Sequence, residues 1–386
     1  MKLNHFVMED VLESLIDYRG KTPQKSDDGV PTLSAKSVKN GYIDYSECYY
    51  ISPEEYKRFM VRGFPKIGDI LLTTEAPMGM VARLDRDDVA IAQRLITLRG
   101  KEGILDNDYL LYYLQSPLGQ HKLAERETGS TVTGIKQAAF RKIEIDIPDI
   151  DVQKKISSCL SCIDAKIETN KRINRNLSEQ AKTLYRAWFM DFEPFDGVMP
   201  DDWHMGVVEE IIELHDSKRK PLSGRQRDAM EKIYPYYGAT SIMDYVDNYI
   251  FDGIYLLLGE DGSVIDREGY PILQYVFGKF WPNNHAHIIT GKNGFSVETL
   301  YLLFSMTNVQ NIVTGAVQLK ISQQNLKNVE AVIPSGQAIK EFDAMIQPMF
   351  SEIRRLRTEN EKLTILRDSL LPKLMSGELD VSDLEL

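Results

Sequence analysis

The stretch that decides the fold occurs twice: TGSTVTGIKQAAFRKIEIDIP at residues 128–148, and TGAVQLKISQQNLKNVEAVIP at residues 314–334. The two copies align without a gap at a constant shift of 314 − 128 = 186 residues, and each copy closes on Ile-Pro. This shift is far too long for the unit of a solenoid repeat, but it is long enough for a domain followed by a long helix. The sequence therefore predicts a protein built from two similar halves.

An apolar heptad pattern follows each copy, in the same phase at the same shift. Such a pattern is typical of helices that pack on each other, and we predict two helices of about 40 residues, each roughly 60 Å long, in an antiparallel pair. Separate packing of each helix on its own domain is the alternative. The predicted seam consists of Ile156, Leu160, Ile163, Ile167, Asn174, Leu177, Leu184, Phe342, Ile346, Met349, Ile353, Asn360, Leu363 and Leu370.

Two polar features interrupt this seam. Asn174 and Asn360 occupy equivalent positions, and a buried Asn pair is a known device for fixing helix register at some cost in stability. Pro348 lies inside the second helical pattern, where it should kink the helix or mark the beginning of its regular part.

Length and composition indicate a chain that can bury two cores of ordinary size, with 386 residues of which 43% are apolar. We expect a cytoplasmic protein that does not bind membranes, since there is no apolar run of 18 residues and no hydrophobic export segment at the start. Three cysteines, an odd and small number, fit a reducing compartment.

Charge is distributed unevenly along the chain, whose formal net charge is −11. Residues 191–213 contain no Lys or Arg, and the region after residue 378 is also acidic, whereas residues 216–232 carry six basic residues against three acidic ones. Acidic junctions combined with basic domain faces are compatible with DNA binding. Charge alone decides nothing, because a surplus of solvated carboxylates is common.

The order of the remaining elements supports two domains. Strand-like segments and then a helix-like segment recur in both halves, at 68–74, 90–98 and 108–116, and at 253–259, 285–290 and 297–306. We predict an α+β fold with two similar globular α/β domains joined by the two long antiparallel helices, with pseudo-two-fold symmetry. The predicted divisions are domain 1 (1–148), helix 1 (149–190), a linker (191–206), domain 2 (207–334), helix 2 (335–377) and an acidic tail (378–386).

Hydroxyl and basic side chains recur beside matched strand ends in both halves. Hydroxyl and backbone N–H groups suit phosphate contacts, whereas Lys, Arg, Gln, Asn and His side chains can reach base edges. Taken singly, each of these residues is also explained as an ordinary turn or surface residue. The predicted DNA-binding residues are Lys36, Lys39, Thr73, Thr74, Gln93, Arg94, Ser130, Thr131, Lys136, Lys218, Arg219, Lys220, Ser263, Asn284, His285 and Lys320.

Four segments carry a family resemblance. They are the strand LLTTEAPMGMVA, the run TGSTVTGIKQAAFRKIEIDIP leading into QKKI, the helix end LYRAWFMDFEPFDG, and YPYYGATSIMDYVDNYIFDG with the later GKFWPNNHAHII. Each motif is weak by itself, but their order and duplication are distinctive. In this arrangement the chain resembles, over nearly its whole length, the specificity subunits of Type I restriction–modification systems.

The resemblance implies two target recognition domains that each read one half of a split sequence in double-stranded DNA, with the two helices as a coiled-coil spacer. It also implies two modification subunits docked on the spacer and the domains, with restriction subunits outside them. We expect no cofactor on this chain, with S-adenosylmethionine and ATP on the partner subunits. The middle of the second helix departs from the seam pattern, which leaves the register of the helix pair open.

An enzyme is the alternative from a different functional class. The sequence contains neither the (D/N/S)-P-P-(Y/F/W) loop of base methyltransferases nor a G-x-x-x-x-G-K-(S/T) loop for ATP. A nuclease-like PD…DxK pattern can be placed on Pro200-Asp201 and Asp216-Ser217-Lys218, which would make the chain a stand-alone modification or nicking enzyme. Because the first half of that pattern lies in the linker, we predict a non-catalytic subunit. A purely structural adaptor is disfavoured by the duplicated globular domains.

Two short motifs raise the question of a metal site. Cys159-x-x-Cys162 lies in the first helical pattern without a second pair of cysteines, and His285-Ala-His287 places two imidazoles on one face of a strand without an evident third ligand. We therefore expect no metal site.

Overall fold

The computed structural model describes residues 1–18, 20–129, 133–315 and 317–384. The chain divides into two compact units, which are described separately below. Unit 1 contains Met1–Glu168 together with Asn360–Leu386, and unit 2 contains Thr169–Glu359.

Unit 1 is built on a four-stranded antiparallel sheet of order β2-β8-β5-β6, beside a smaller sheet of order β4-β3-β7. Strand β1 pairs with β11, and β9 with β10. The strands are β1 (Asn4–Val7), β2 (Leu12–Asp17), β3 (Val30–Leu33), β4 (Tyr49–Ile51), β5 (Ile70–Thr73), β6 (Val81–Arg83), β7 (Ala90–Ile91), β8 (Leu95–Gly100), β9 (Glu127–Thr128), β10 (Gly134–Ile135) and β11 (Glu144–Ile147). The helices before the long one are α1 (Met8–Val11), α2 (Pro53–Phe59), α3 (Asn107–Gln115), α4 (Pro117–Ala124) and α5 (Gln137–Arg141).

The apolar run of strand β5 is explained by burial on both of its faces. Ile70 and Leu72 belong to the core that also contains the apolar side chains of α3, whereas Leu71 belongs to the core beneath the smaller sheet. A strand covered on both faces needs apolar residues at every position, so the sequence loses the alternation of a half-exposed strand. Helix α3 begins after Asp106, whose carboxylate accepts a hydrogen bond from the Tyr109 N–H at 2.8 Å.

Unit 2 contains a six-stranded sheet of order β13-β18-β16-β17-β14-β15, and β12 pairs separately with β19. The strands are β12 (His204–Val207), β13 (Ile212–Leu214), β14 (Tyr234–Tyr237), β15 (Ile242–Val246), β16 (Phe251–Gly259), β17 (Leu273–Pro282), β18 (Ala286–Gly291) and β19 (Glu330–Ile333). Three shorter helices are α7 (Gly224–Asp228), α8 (Val297–Met306) and α9 (Gln323–Lys327). The central strand β16 is buried on both faces, as β5 is. Leu256 and Leu258 belong to the main core, and Leu257 belongs to a second core on the other face.

The repeated sequence stretch forms the same series of elements in both units. In each repeat a short helix, α5 or α9, follows a hairpin and leads into a strand that pairs with the unit's first strand, as β11 does with β1 and β19 with β12. The helix-like segments predicted at 108–116 and 297–306 form α3 and α8. The predicted α+β fold with two similar α/β domains and two long helices is confirmed.

The two long helices are α6 (Ile150–Phe189, 40 residues) and α10 (Gly336–Ser376, 41 residues), and the boundary between the units falls within both. In unit 1 the Arg367 guanidinium lies 2.9 Å from the Asp164 carboxylate, and the Asn360 amide donates to the Ile167 carbonyl at 3.3 Å. Residue numbers rise along one helix as they fall along the other, so these two helix segments are antiparallel within unit 1.

In unit 2 the helix segments meet through aromatic side chains. The ring of Phe342 on α10 lies 4.7 Å from that of Phe189 and 5.9 Å from that of Tyr185, both on α6. Every predicted seam residue in the two helices is buried or half-buried. The most deeply buried positions at this end of α6 are Ala181, Tyr185 and Phe189, spaced by four, whereas the predicted seam residues there are half-buried. A helix that packs on a domain core as well as on another helix buries a face wider than a heptad seam.

Helix α10 begins at Gly336 and continues past Pro348, so this proline does not mark the start of the regular helix, and the alternative of a kink at Pro348 stays a prediction. Asn174 and Asn360 are half-buried, and the fully buried asparagine in this region is Asn170. The Asn174–Asn360 pair stays a prediction.

The predicted linker and tail both pack on their units. In the linker, the ring of Phe195 lies 5.5 Å from that of Trp188 and 4.9 Å from that of Trp203, so the stretch after α6 extends the aromatic core of unit 2. In the tail, the Met1 amine lies 2.5 Å from the Asp380 carboxylate, which joins the two ends of the described chain within unit 1. Among the described residues, no helix is both long and apolar enough to span a bilayer.

Candidate functional site

Both units carry the same backbone arrangement where the central strand of the main sheet ends. In unit 1 the Thr74 N–H donates to the Arg94 carbonyl at 2.9 Å, and the Ile135 N–H donates to the Thr74 carbonyl at 3.0 Å. In unit 2 the Glu260 N–H donates to the His285 carbonyl at 2.8 Å, and the Ile321 N–H donates to the Glu260 carbonyl at 2.9 Å. We call these regions the strand-end sites. Each brings together the end of the central strand, the start of a neighbouring strand and the hairpin of the repeated stretch.

The strand-end site of unit 1 presents several of the predicted side chains. Arg94 is exposed, adopts a left-handed backbone conformation with φ of 69°, and lies 3.6 Å from the Glu75 carboxylate. Lys136 is exposed beside the hairpin, and Gln93 is half-buried. The next turn borders an open pocket of about 430 Å³, whose lining includes Lys36, Lys39, Asn40, Pro77 and Met80.

Two of the described predicted residues of unit 1 do not present side chains at this site. Thr73 and Thr74 are buried, and the Thr73 hydroxyl accepts a hydrogen bond from the Met80 N–H at 2.8 Å. Thr73 therefore stabilises the turn that follows the strand, since its carbonyl also accepts a hydrogen bond from the Gly79 N–H. The predicted contacts at Ser130 and Thr131 lie outside the described residues.

The strand-end site of unit 2 gathers more of the predicted side chains. Lys218, Lys220, Ser263 and Asn284 are exposed. The half-buried His285 imidazole is hydrogen-bonded to Asp261, and the Lys320 ammonium lies 3.4 Å from the Glu260 carboxylate. Residues from four separate stretches thus converge around Glu260 and Asp261.

Arg219 differs from its two lysine neighbours. Its side chain is only 14% exposed, and its guanidinium donates to the Glu260 carboxylate at 2.5 Å and to the Ala286 carbonyl at 2.9 Å. It also donates to the Asp216 carbonyl at 3.0 Å. The charge of Arg219 is thus paired with carboxylate and carbonyl oxygens inside the unit, and its contact with DNA stays a prediction.

A buried ion pair lies beneath this site. His287 is 0% exposed; its Nδ1 lies 2.6 Å from the Asp216 carboxylate, and its Nε2 lies 2.8 Å from the Ile321 carbonyl. Both ring nitrogens lie within hydrogen-bonding distance of oxygen atoms, so the imidazole is held from both sides. Burial acts to raise the pKa of Asp216, but the hydrogen bond and charge of His287, the Ile288 N–H and the charge of Arg219 together outweigh it and hold that pKa below its ordinary value.

Potential metal-ligand atoms of Asp216, Glu260 and His287 lie within 4.8 Å of one another. His287 therefore lies beside two carboxylates that the sequence alone did not reveal as its neighbours. The Arg219 guanidinium binds Glu260, and Asp216 accepts hydrogen bonds from His287, from the Ile288 N–H at 2.8 Å and from the Gln323 amide at 2.5 Å. The chain supplies its own cations to this cluster, so we interpret it as an ion-pair network. Because these contacts occupy the Asp216 carboxylate, the geometry does not support a catalytic role for it in the nuclease-like pattern.

Sequence reasoning missed the carboxylates of the two sites. Glu75 in unit 1 pairs with Arg94, and Asp261 in unit 2 pairs with His285. Arg94 and His285 each stand directly before the next strand, β8 or β18. The sequence did contain a signal for these two carboxylates. Glu75 and Asp261 occupy equivalent positions in the repeat, at the shift of 261 − 75 = 186 residues. Each site thus combines exposed donors with a nearby acceptor, a set suited to phosphates and base edges.

Comparison with known proteins agrees with this duplicated arrangement. Residues 4–179 and 200–364 both match the family model of the Type I restriction modification DNA specificity domain. The chain belongs to this family. Each match contains one strand-end site and reaches into the following long helix, so the specificity domain as a family unit includes both parts.

Relatives of similar length are found among specificity-domain proteins. The specificity subunit of the Type I restriction enzyme MjaIX of Methanocaldococcus jannaschii is 26% identical, over 92% of this chain and 88% of the relative. The specificity subunit of the Type I restriction enzyme HindI of Haemophilus influenzae is 21% identical, over 81% and 87%. The crystal structure of a Type I system S subunit from M. genitalium has the same fold, with a TM-score of 0.61, 16% identity, and coverage of 99% of this chain and 97% of that one.

Proposed function

We propose that this specificity-domain protein recognises a bipartite DNA target, with the strand-end site of each unit reading one half. The observation that carries the proposal is the repetition of the site by the same backbone hydrogen bonds around Thr74 and Glu260. Two similar reading surfaces in one chain suit two half-sites, as paired subunits do in other DNA-binding proteins. The long helices α6 and α10 then set the spacing between the half-sites.

Partner subunits supply the chemistry in this proposal. Two modification subunits dock on the long helices and the domains, with restriction subunits outside them, and S-adenosylmethionine and ATP are bound by these partners. The adjacent apolar side chains of Ile365 and Leu366 on α10 are exposed and support a docking role, because contiguous exposed apolar surface marks interaction sites.

The function is tested by mapping methylated adenines in cells that carry this chain with its partner subunits. The expected result is one motif of two specified halves separated by an unspecified gap of fixed length, which disappears when the gene for this chain is deleted. A continuous motif, or a bipartite motif that persists after the deletion, would contradict the proposal.

The exposed lysines of unit 2 give a second test. Replacing Lys218 and Lys220 together by Ala should weaken binding to all DNA sequences about equally, since each lysine neutralises a phosphate. We expect the slope of log affinity against log salt to fall by about 2, because each lost phosphate contact removes about 0.9. Arg219 is left in place because it holds Glu260.

This binding is measured on the assembled complex, with target and non-target duplexes over a salt series. Lys292→Ala, which removes an exposed lysine from the same unit, is the control and should leave the slope unchanged. An unchanged slope in the double variant, or lost discrimination at one base pair with non-specific affinity intact, would show that the lysines do not contact phosphates.

A further inference from the structure

A strongly basic segment of unit 1 lies outside the predicted contacts. Residues 57–67, KRFMVRGFPKI, contain four Lys or Arg residues and no Asp or Glu, in a chain whose net charge is −11. The same segment exposes three apolar side chains: Val61 is 65% exposed, Phe64 56% and Ile67 60%. Contiguous exposed apolar residues in an ordered domain mark a surface that binds something.

The backbone of the 57–67 segment is held firmly in place. Phe59 is buried and stacks on the ring of Tyr18, with 4.9 Å between ring centroids. The Tyr18 hydroxyl donates to the Gly63 carbonyl at 2.9 Å and accepts from the Arg62 N–H at 2.9 Å. Pro65 is buried. Phe64 is therefore exposed between two anchored points, so its position is fixed before any partner binds.

The charges of the 57–67 segment indicate what kind of partner it binds. Arg58 is paired with Glu55, and the Arg62 guanidinium donates to the Asp17 carbonyl at 2.6 Å. Within the part of the chain that the structure describes, Lys57 and Lys66 have no carboxylate partner. Two uncompensated lysines on either side of an apolar projection complement a polyanion.

The 57–67 segment is anchored at the edge of the sheet that carries the strand-end site of unit 1. Asp17, whose carbonyl binds Arg62, is the last residue of β2 and pairs across the sheet with Ile96 on β8. Ile96 is two residues from Arg94, the exposed cation of that site. A duplex lying on the strand-end site would therefore pass the end of β2 where the segment is anchored.

We propose that residues 57–67 form a sequence-independent clamp on the DNA duplex beside the half-site read by unit 1. Lys57 and Lys66 contact phosphates, and Phe64 packs against sugars or a base step in the minor groove, as apolar wedges do in other DNA-binding proteins. This inference rests on the proposed function, because it requires that unit 1 binds DNA. It adds contacts that contribute affinity without specifying bases.

The test compares two variants of the full chain in its assembled complex, Lys57→Ala with Lys66→Ala, and Phe64→Ser. The lysine variant should lower the slope of log affinity against log salt by about 2. Phe64→Ser should weaken binding to target and non-target duplexes by about tenfold, which corresponds to losing burial of one aromatic side chain. Both variants should leave the methylated motif unchanged.

Matched controls remove similar groups elsewhere: Lys2→Ala with Lys292→Ala, and Val198→Ser, an exposed apolar residue in the predicted linker. These should leave affinity and salt slope unchanged. An unchanged slope in the lysine variant, or unchanged affinity in the Phe64 variant, would overturn the clamp. So would failure of either variant to co-purify with the modification subunits, since the surface would then bind protein. Failure of the proposed function is distinct, because the unaltered complex would then direct no bipartite methylation.

Discussion

Replacing His287 by Leu is expected to lower the free energy of unfolding of unit 2 by about 3–5 kcal/mol, the usual cost of breaking a buried ion pair by removing one partner. The size of the effect follows from burial: the imidazole is fully enclosed, and Asp216 would keep a charge with its strongest partner removed. The Ile321 carbonyl would also lose its hydrogen bond from Nε2, which loosens the hairpin of the repeated stretch. Chemical denaturation of the full chain measures this loss.

A matched control lies two residues earlier in the sequence. His285→Leu removes the same kind of side chain from a half-exposed pair with Asp261, so it should cost less than about 1 kcal/mol. Adding Asp216→Asn to His287→Leu should recover part of the lost stability, because the uncompensated charge is removed. If His287→Leu cost no more than His285→Leu, or if Asp216→Asn made it worse, the buried pair would not be ionic.

The same pair gives unit 2 a dependence on acid. The pKa of the Asp216 carboxyl is held below its ordinary value, so its ionised form stabilises the folded unit at neutral pH. This stabilisation is present above the unfolded-state pKa of about 3.9 and is lost as the pH falls through the lower folded-state pKa. The acid sensitivity of unfolding should therefore be reduced in Asp216→Asn.

The repeat and the helices were predictable from sequence because both are periodic. The 186-residue shift preserves the Ile-Pro that ends each copy, and the helices predicted at 149–190 and 335–377 lie within one residue of the ends of α6 and α10. Strand β8 was less predictable. The segment 90–98 reads as one apolar strand, but the left-handed conformation of Arg94 breaks it into β7 and β8.

The chemistry of the sites was only partly predictable, because it depends on contacts between distant residues. Asp216 and His287 are 71 residues apart, and the apparent Asp-x-Lys and His-x-His motifs around them gave no hint of their pairing. Arg219 lies between two exposed lysines, yet its side chain points to Glu260. Burial of Thr73 was not predicted, although the apolar run of β5 is the pattern of a strand covered on both faces.

Exchanging residues 1–148 for the corresponding domain of another family member is expected to change one half of the methylated motif completely. The two main cores that hold the sheets belong to different units, and each strand-end site is assembled from residues of its own half of the sequence. The junction lies just before α6, which begins at Ile150, so the helices that set the spacing stay intact.

The incoming domain must fit the start of α6. The buried side chain of Gln153 accepts a hydrogen bond from the Asp106 N–H at 2.9 Å and donates to the Ile104 carbonyl at 2.8 Å. A donor domain with residues that can satisfy this amide is therefore the proper choice, and co-purification with the modification subunits checks that the exchanged chain assembles.

Methylation-site mapping of cells that carry the exchanged chain tests most directly whether the two units read DNA independently. The account predicts that one half of the motif is replaced, while the other half and the length of the gap remain as in cells with the unaltered chain. A motif in which both halves change, or in which the gap changes while both halves persist, would contradict it.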